Sequence, residues 1–215
     1  MTIVFLGDSI TQWWEPNLFK QHFGFYEPVN LGISGYTTKN VIELLELSKL
    51  HNLNPEVIVL HIGTNNADNG ITTGETLEDI HKIINLILKI NNKTKILLIG
   101  LLPRGLSSSD KYRVFNNEVN KLLEVAKFVD NVYYIDVSNI FIRGDGSISK
   151  KIMYDYLHLT DEGYQYFTES ISSFLFLLYS SSSSATSHPA AISSAISSTI
   201  SSTTTTLNTS PAKST

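Results

Sequence analysis

Apolar residues follow two rhythms along this chain. Thr2 to Leu6, Val29 to Leu31, Val57 to Ile62, Lys95 to Gly100 and Val132 to Ile135 are short runs rich in Ile, Val, Leu or Tyr, and they predict five strands. Between them the spacing changes to that of helices. Thr37 to His51 places Val41, Leu44, Leu45 and Leu47 on one face, with Thr38 as the expected cap. Glu75 to Ile90 repeats the pattern with Leu77, Ile80, Ile83, Ile84 and Ile87 behind Thr72 or Thr73. Tyr112 to Phe128 follows Asp110, another capping type, and Thr160 to Tyr179 is the last predicted helix, opened by Thr160 and Asp161. Strands that alternate with helices imply a parallel sheet covered on both faces. The expected fold is therefore α/β, a flavodoxin-like three-layer α/β/α sandwich around a five-stranded parallel sheet. Residues just after the first four strands, Ser9, Gly35, Asn65 and Arg104, should then meet along one edge, where open α/β sheets hold their ligands.

Composition narrows the picture. A chain of 215 residues, 42% hydrophobic, can bury a sizeable core, and one domain spanning residues 1–179 is expected. From Ser180 to Thr215 the chain turns to serine, threonine and alanine with scattered Ile192, Ile196 and Ile200. Such a segment buries too little apolar surface to offset its ordering entropy, and is expected to be a disordered low-complexity tail. The net charge is −4, and Lys213 is the one charged residue of the tail, so residues 1–179 are one unit more negative still. That balance argues against nucleic acid or an anionic membrane as the partner, both of which need a basic surface. With no cysteine, disulfides, thiolate catalysis and cysteine-ligated metals are excluded. Thr2 to Leu6 is too short for the apolar part of a signal peptide, and no stretch reaches the ~20 apolar residues of a membrane span. A cytoplasmic location is expected.

Candidate chemistry sits where the strands run out. Gly7-Asp8-Ser9-Ile10-Thr11 ends the first strand and presents a serine, which needs a base to become a useful nucleophile. Asp155-Tyr156-Leu157-His158, near the other end of the globular part, supplies an imidazole that can take and return a proton around neutrality, and a carboxylate to fix its tautomer. Negative charge building on an ester carbonyl oxygen needs fixed donors. The backbone N–H groups of Ser9 and Gly35 and the side-chain amide of Asn65 are the expected ones. Ile10, Thr64 and Leu157 flank these groups and are expected to wall a small acyl pocket, while Arg104 is a candidate for a substrate phosphate, with a structural salt bridge as the alternative. At least one of the adjacent Trp13 and Trp14 is expected in the core, with a hydrophobic contact for a lipid or a subunit as the alternative. No metal-ligand spacing and no nucleotide motif is present, so neither metal nor cofactor is called for.

Gly7-Asp8-Ser9, Asn30 to Gly35, Gly63-Thr64-Asn65-Asn66 and Asp155 to His158 together resemble the blocks of the SGNH, or GDSL, hydrolases. Gly100 to Gly105, Asp145 to Ser149 and Met153 to Leu159 extend the resemblance, over most of residues 3–178, to the catalytic subunits of intracellular type I platelet-activating factor acetylhydrolase. The resemblance implies a metal-independent serine esterase that removes the sn-2 acetyl group of an ether phospholipid through an acetyl-enzyme. It also implies pairing into homo- or heterodimers with a related catalytic subunit, and binding to a WD-repeat lissencephaly-type regulator. Ser34 and Tyr36 depart from the glycine and aspartate those subunits carry beside the equivalent of Gly35.

Overall fold

The structure is a computed structural model and describes residues 2–47 and 53–183. Strands β1 (Ile3–Gly7), β2 (Pro28–Gly32), β3 (Val57–His61), β4 (Lys95–Ile99) and β5 (Val132–Ile135) form one sheet in the order β2-β1-β3-β4-β5, parallel at every pairing. Helices α1 (Ser9–Gln12), α2 (Pro16–Phe23), α3 (Thr38–Glu46), α4 (Thr73–Ile90), α5 (Lys111–Val125) and α6 (Asp161–Ser183) complete the three layers.

Side chains of a strand alternate between faces, and each face here has its own core. Ile3 and Phe5 of β1, with Val57, Val59, Leu97, Ile99 and Tyr133, pack against Trp14, Phe19 and Phe23 and the apolar side of α6. Val4 and Leu6, with Ile58, Leu60, Ile96 and Leu98, pack against Val41 and Leu45 of α3, Ile80, Ile83, Ile84 and Ile87 of α4, and Val119 and Leu123 of α5. Both faces being buried explains why these strands read as continuous apolar runs rather than as an alternation.

The predicted strands and four predicted helices are all present, with shifted ends. The cap of α3 is Thr37, not Thr38: its hydroxyl accepts from the Asn40 N–H while the Asn40 side chain answers the Thr37 N–H. Thr72 caps α4 in the same reciprocal way with Glu75. Helix α5 stops at Val125, short of Phe128, and α6 continues past Tyr179 to Ser183. The end of the first predicted helix at His51 and the tail from residue 184 lie outside the described residues. Helix α2 has no counterpart in the sequence reading. It starts with Glu15, whose carboxylate accepts from the Leu18 N–H at 2.7 Å, followed by proline at the first helical position.

At the C-terminal ends of β1 and β2 the backbone of α1 lies directly on the sheet. A Cβ on Gly32 would meet the Gln12 nitrogen at 2.2 Å, so only glycine fits there. This close approach brings the start of α1 to the edge of the sheet beside the loop that follows β2.

Candidate active site

Ser9 is the first residue of α1, reached immediately after β1 through Asp8. The Asp8 carboxylate caps the short helix by accepting from the Ile10 N–H at 2.9 Å. From the far end of the chain, the Tyr164 hydroxyl in α6 donates to the Ile10 carbonyl at 2.8 Å and ties the two ends together. The segment before α6 folds back on itself through a Met153–Leu159 bridge. Thr160 ends it as the cap of α6, its hydroxyl accepting from the Gly163 N–H.

Within that segment Asp155 organises His158. One carboxylate oxygen accepts the backbone N–H groups of His158 and Leu157 at 2.7 and 3.0 Å, which tightens the turn; the other faces His158 Nδ1 at 2.6 Å. His158 Nε2 lies 2.9 Å from Ser9 Oγ. Burial pushes the Asp155 carboxyl upward, but the hydrogen bonds from the His158 ring and backbone outweigh it and hold the group below its ordinary value. An ionised Asp155 selects the tautomer with the proton on Nδ1, leaving the Nε2 lone pair to accept from the serine. Two further contacts hold the turn: Tyr156 sits in the left-handed region at φ 65°, and its carbonyl accepts from the Gly105 N–H at 2.9 Å. Gly105 and Arg104 in turn lend their carbonyls to the buried guanidinium of Arg113.

The loops after β2 and β3 are joined beside the serine. The Ser34 N–H donates to the Gln12 side chain at 2.7 Å, and the Asn65 amide donates to the Tyr36 carbonyl at 3.0 Å. Gly35, exposed between Ser34 and Tyr36, has φ 77°, and nothing lies within 4 Å of where a Cβ would stand. Glycine is selected there by backbone conformation. Asn66, which sequence reasoning did not single out, is buried and binds Thr38 and Thr76, fixing the loop that carries Asn65.

Other expected site residues are placed as follows. Ile10 and Thr64 are buried, Ile10 in the core and Thr64 with its hydroxyl accepting from the Asn116 amide at 3.0 Å; Leu157 is half-buried. Arg104 is engaged within the protein: it pairs with Asp68 at 2.7 Å, donates to the Thr64 carbonyl at 3.1 Å and covers the Tyr112 ring at 3.9 Å. This is the salt-bridge alternative of the sequence reading. Trp14 is buried among Phe5, Phe19, Phe23, Tyr164 and Phe167, whereas Trp13 stays on the surface beside His158. Among the described residues no three His, Asp or Glu side chains gather as metal ligands would, and no helix is long and apolar enough to cross a membrane.

Both the sequence and the parallel α/β sandwich have known counterparts. The chain belongs to the GDSL-like lipase/acylhydrolase family, which it matches over residues 5–166. Over 164 residues it is 38% identical to the platelet-activating factor acetylhydrolase IB subunit alpha2 of Homo sapiens, covering 75% of this chain and 70% of that one. Identity to the alpha1 subunit of Rattus norvegicus is 33% over 164 residues, 75% of this chain and 69% of the relative. A GDSL-like lipase from Bacteroides thetaiotaomicron shares the fold with a TM-score of 0.68 at 22% identity, over 80% of this chain and 86% of that one.

Proposed function

We propose that this protein is a serine esterase that removes acetyl groups, with the sn-2 acetyl ester of platelet-activating factor-like ether phospholipids as its substrate class. The observation that carries the reading is the hydrogen-bonded chain from Ser9 Oγ through His158 to Asp155, at 2.9 and 2.6 Å. As Ser9 Oγ bonds to the ester carbon, its proton passes to His158 Nε2 and the carbonyl electron pair moves onto oxygen. The N–H groups of Ser9 and Gly35 and the Asn65 amide meet that oxyanion. When the carbonyl re-forms, the bond to the alcohol oxygen breaks, its electrons leave with that oxygen, and Nε2 returns the proton to it. Water then repeats the sequence on acetyl-Ser9, releasing acetate and restoring the hydroxyl. Ile10, Thr64 and Leu157 limit the acyl group to a short chain.

Likeness to platelet-activating factor acetylhydrolase IB subunits supports the phospholipid substrate and assembly with other subunits; a cytoplasmic location, a catalytic dimer and a WD-repeat regulator are proposed from the resemblance of the sequence blocks. A second reading, an esterase for acetylated sugars or other small acetyl esters, is favoured by one observation: the Arg104 guanidinium is engaged by Asp68, Thr64 and Tyr112 rather than turned to a substrate phosphate. Hydrolysis of acetylated ether phospholipids, acetyl sugars and long-acyl esters by purified wild type and Ser9→Ala decides between them. The expected result is fastest turnover of the acetyl phospholipid and loss of nearly all activity in Ser9→Ala. Full hydrolysis by Ser9→Ala would remove Ser9 as nucleophile, and faster turnover of acetyl sugars would establish the second reading.

A further inference from the structure

We propose that Trp13 determines specificity for the alcohol half of the ester, an inference that rests on the esterase reading above. The two adjacent tryptophans have opposite fates. Trp14 disappears into the core, whereas Trp13 is 46% exposed, with its ring centroid 4.2 Å from that of His158 at an interplanar angle of 34°. Tyr154, 48% exposed, lies against the same imidazole at 6.0 Å and 21°. The base of the reaction is thus flanked by aromatic surface that is open to solvent. Neither ring has a part in the proton transfers, and an indole left half in water forgoes hydrophobic stabilisation that its neighbour obtains.

The route of the proton fixes which half of the substrate that surface meets. His158 Nε2, 2.9 Å from Ser9 Oγ, both removes the serine proton and returns it to the departing oxygen. That oxygen must come within roughly 3 Å of Nε2, a hydrogen-bond distance. The first carbons of the alcohol therefore run alongside the imidazole, where the indole lies tilted against it. The carbonyl oxygen is turned toward its own proposed donors, Gly35 and Asn65. An indole offers a rigid apolar platform, and each methylene buried on it multiplies kcat/KM by about fourfold.

The test holds the acyl group at acetyl and lengthens the alcohol from methyl through butyl to hexyl, with wild type, Trp13→Ala and Trp13→Phe. A second series holds ethyl alcohol and varies the acyl group from acetyl to hexanoyl. In wild type kcat/KM rises along the alcohol series. Trp13→Ala lowers the hexyl-to-methyl acetate ratio tenfold or more, Trp13→Phe restores most of it, and the acyl-series ratios keep their wild-type values. An equal loss on every ester, with the folded state confirmed by near-ultraviolet circular dichroism, would make Trp13 a support for His158 alone and overturn the proposal. A change confined to the acyl series would overturn it by placing the indole on the acid side. Labelling of wild-type Ser9 by a fluorophosphonate separates the two levels: without labelling or turnover of any acetate the esterase reading itself fails, and this proposal with it.

Discussion

His158 has no freedom to choose its partners. Asp155 grips its backbone N–H and its Nδ1 at once, and Trp13 covers its face. In the proposed reaction an imidazole held this way needs no rearrangement before it accepts the serine proton, so the remaining electrostatic demand falls on the carbonyl oxygen. Asn65→Ala removes one of three proposed donors and is expected to lower kcat by about 10²–10³, without the near-total loss expected of Ser9→Ala. A smaller drop, within threefold of wild type in steady-state assays, would take Asn65 out of the oxyanion site. The hydrogen-bonded trio of Ser9, His158 and Asp155 was legible in the sequence because serine, imidazole and carboxylate have few uses in combination and each stood at a predicted strand or helix boundary. Arg104 could not be resolved the same way. Its partners Asp68 and Tyr112 belong to the loop after β3 and the first turn of α5, and only the folded sheet edge brings them together.

Elements were legible in proportion to how much of their signal is local. The five strands and the long amphipathic helices carry their periodicity in their own residues, and Thr72 with Glu75 marks the start of α4 within one turn. Helix α2 was missed because glutamate ranks low as a capping residue, and its apolar positions, Phe19 and Phe23, acquire meaning only against Trp14 and Phe5. The fit of α1 on the strand ends is equally non-local, and it gives the glycines different values. Gly32→Ala drives a methyl group into the Gln12 backbone and is expected to cost about 1–3 kcal/mol or more. Gly74→Ala, in the first turn of α4 with open space around it, should stabilise by about 0.4–1 kcal/mol. Urea unfolding of the two variants checks the opposite signs; equal effects would mean that α1 does not rest on β2 as described.

At the scale of the molecule, two buried ionisable groups at neighbouring strand ends shape the response to pH. Gly7, just before Asp8, pairs in register with His61. Burial pushes the Asp8 carboxyl up from 3.8 to about 7, against the Ile10 hydrogen bond and the charge of Arg104, and burial pulls His61 down from 6.5 to about 4. For Asp8 the folded state holds the proton more tightly, so stability falls as pH rises from 3.8 to about 7. For His61 the unfolded state holds it more tightly, so stability is lost as pH falls from 6.5 to about 4. Between about 4 and 6.5 the two slopes cancel. Asp8→Asn, which keeps a capping acceptor, should unmask stability that rises with pH across this window, and His61→Phe should unmask the reverse. Denaturant midpoints at pH 4.5 and 6.5 read the difference. Parallel pH curves for wild type and both variants would show that these groups titrate alike in the folded and unfolded chains.

Ser9 and His158 are separated by 149 positions, and the Tyr164–Ile10 hydrogen bond that fastens their elements spans 154. A pairing so distant along the polymer forms only after a large loop has been closed, and it is expected among the slow, late steps of assembly. Turnover then becomes a clock for completed folding. During synthesis the serine leaves the ribosome 149 residues ahead of its partner, so the nascent chain carries an unarmed hydroxyl until His158 has emerged.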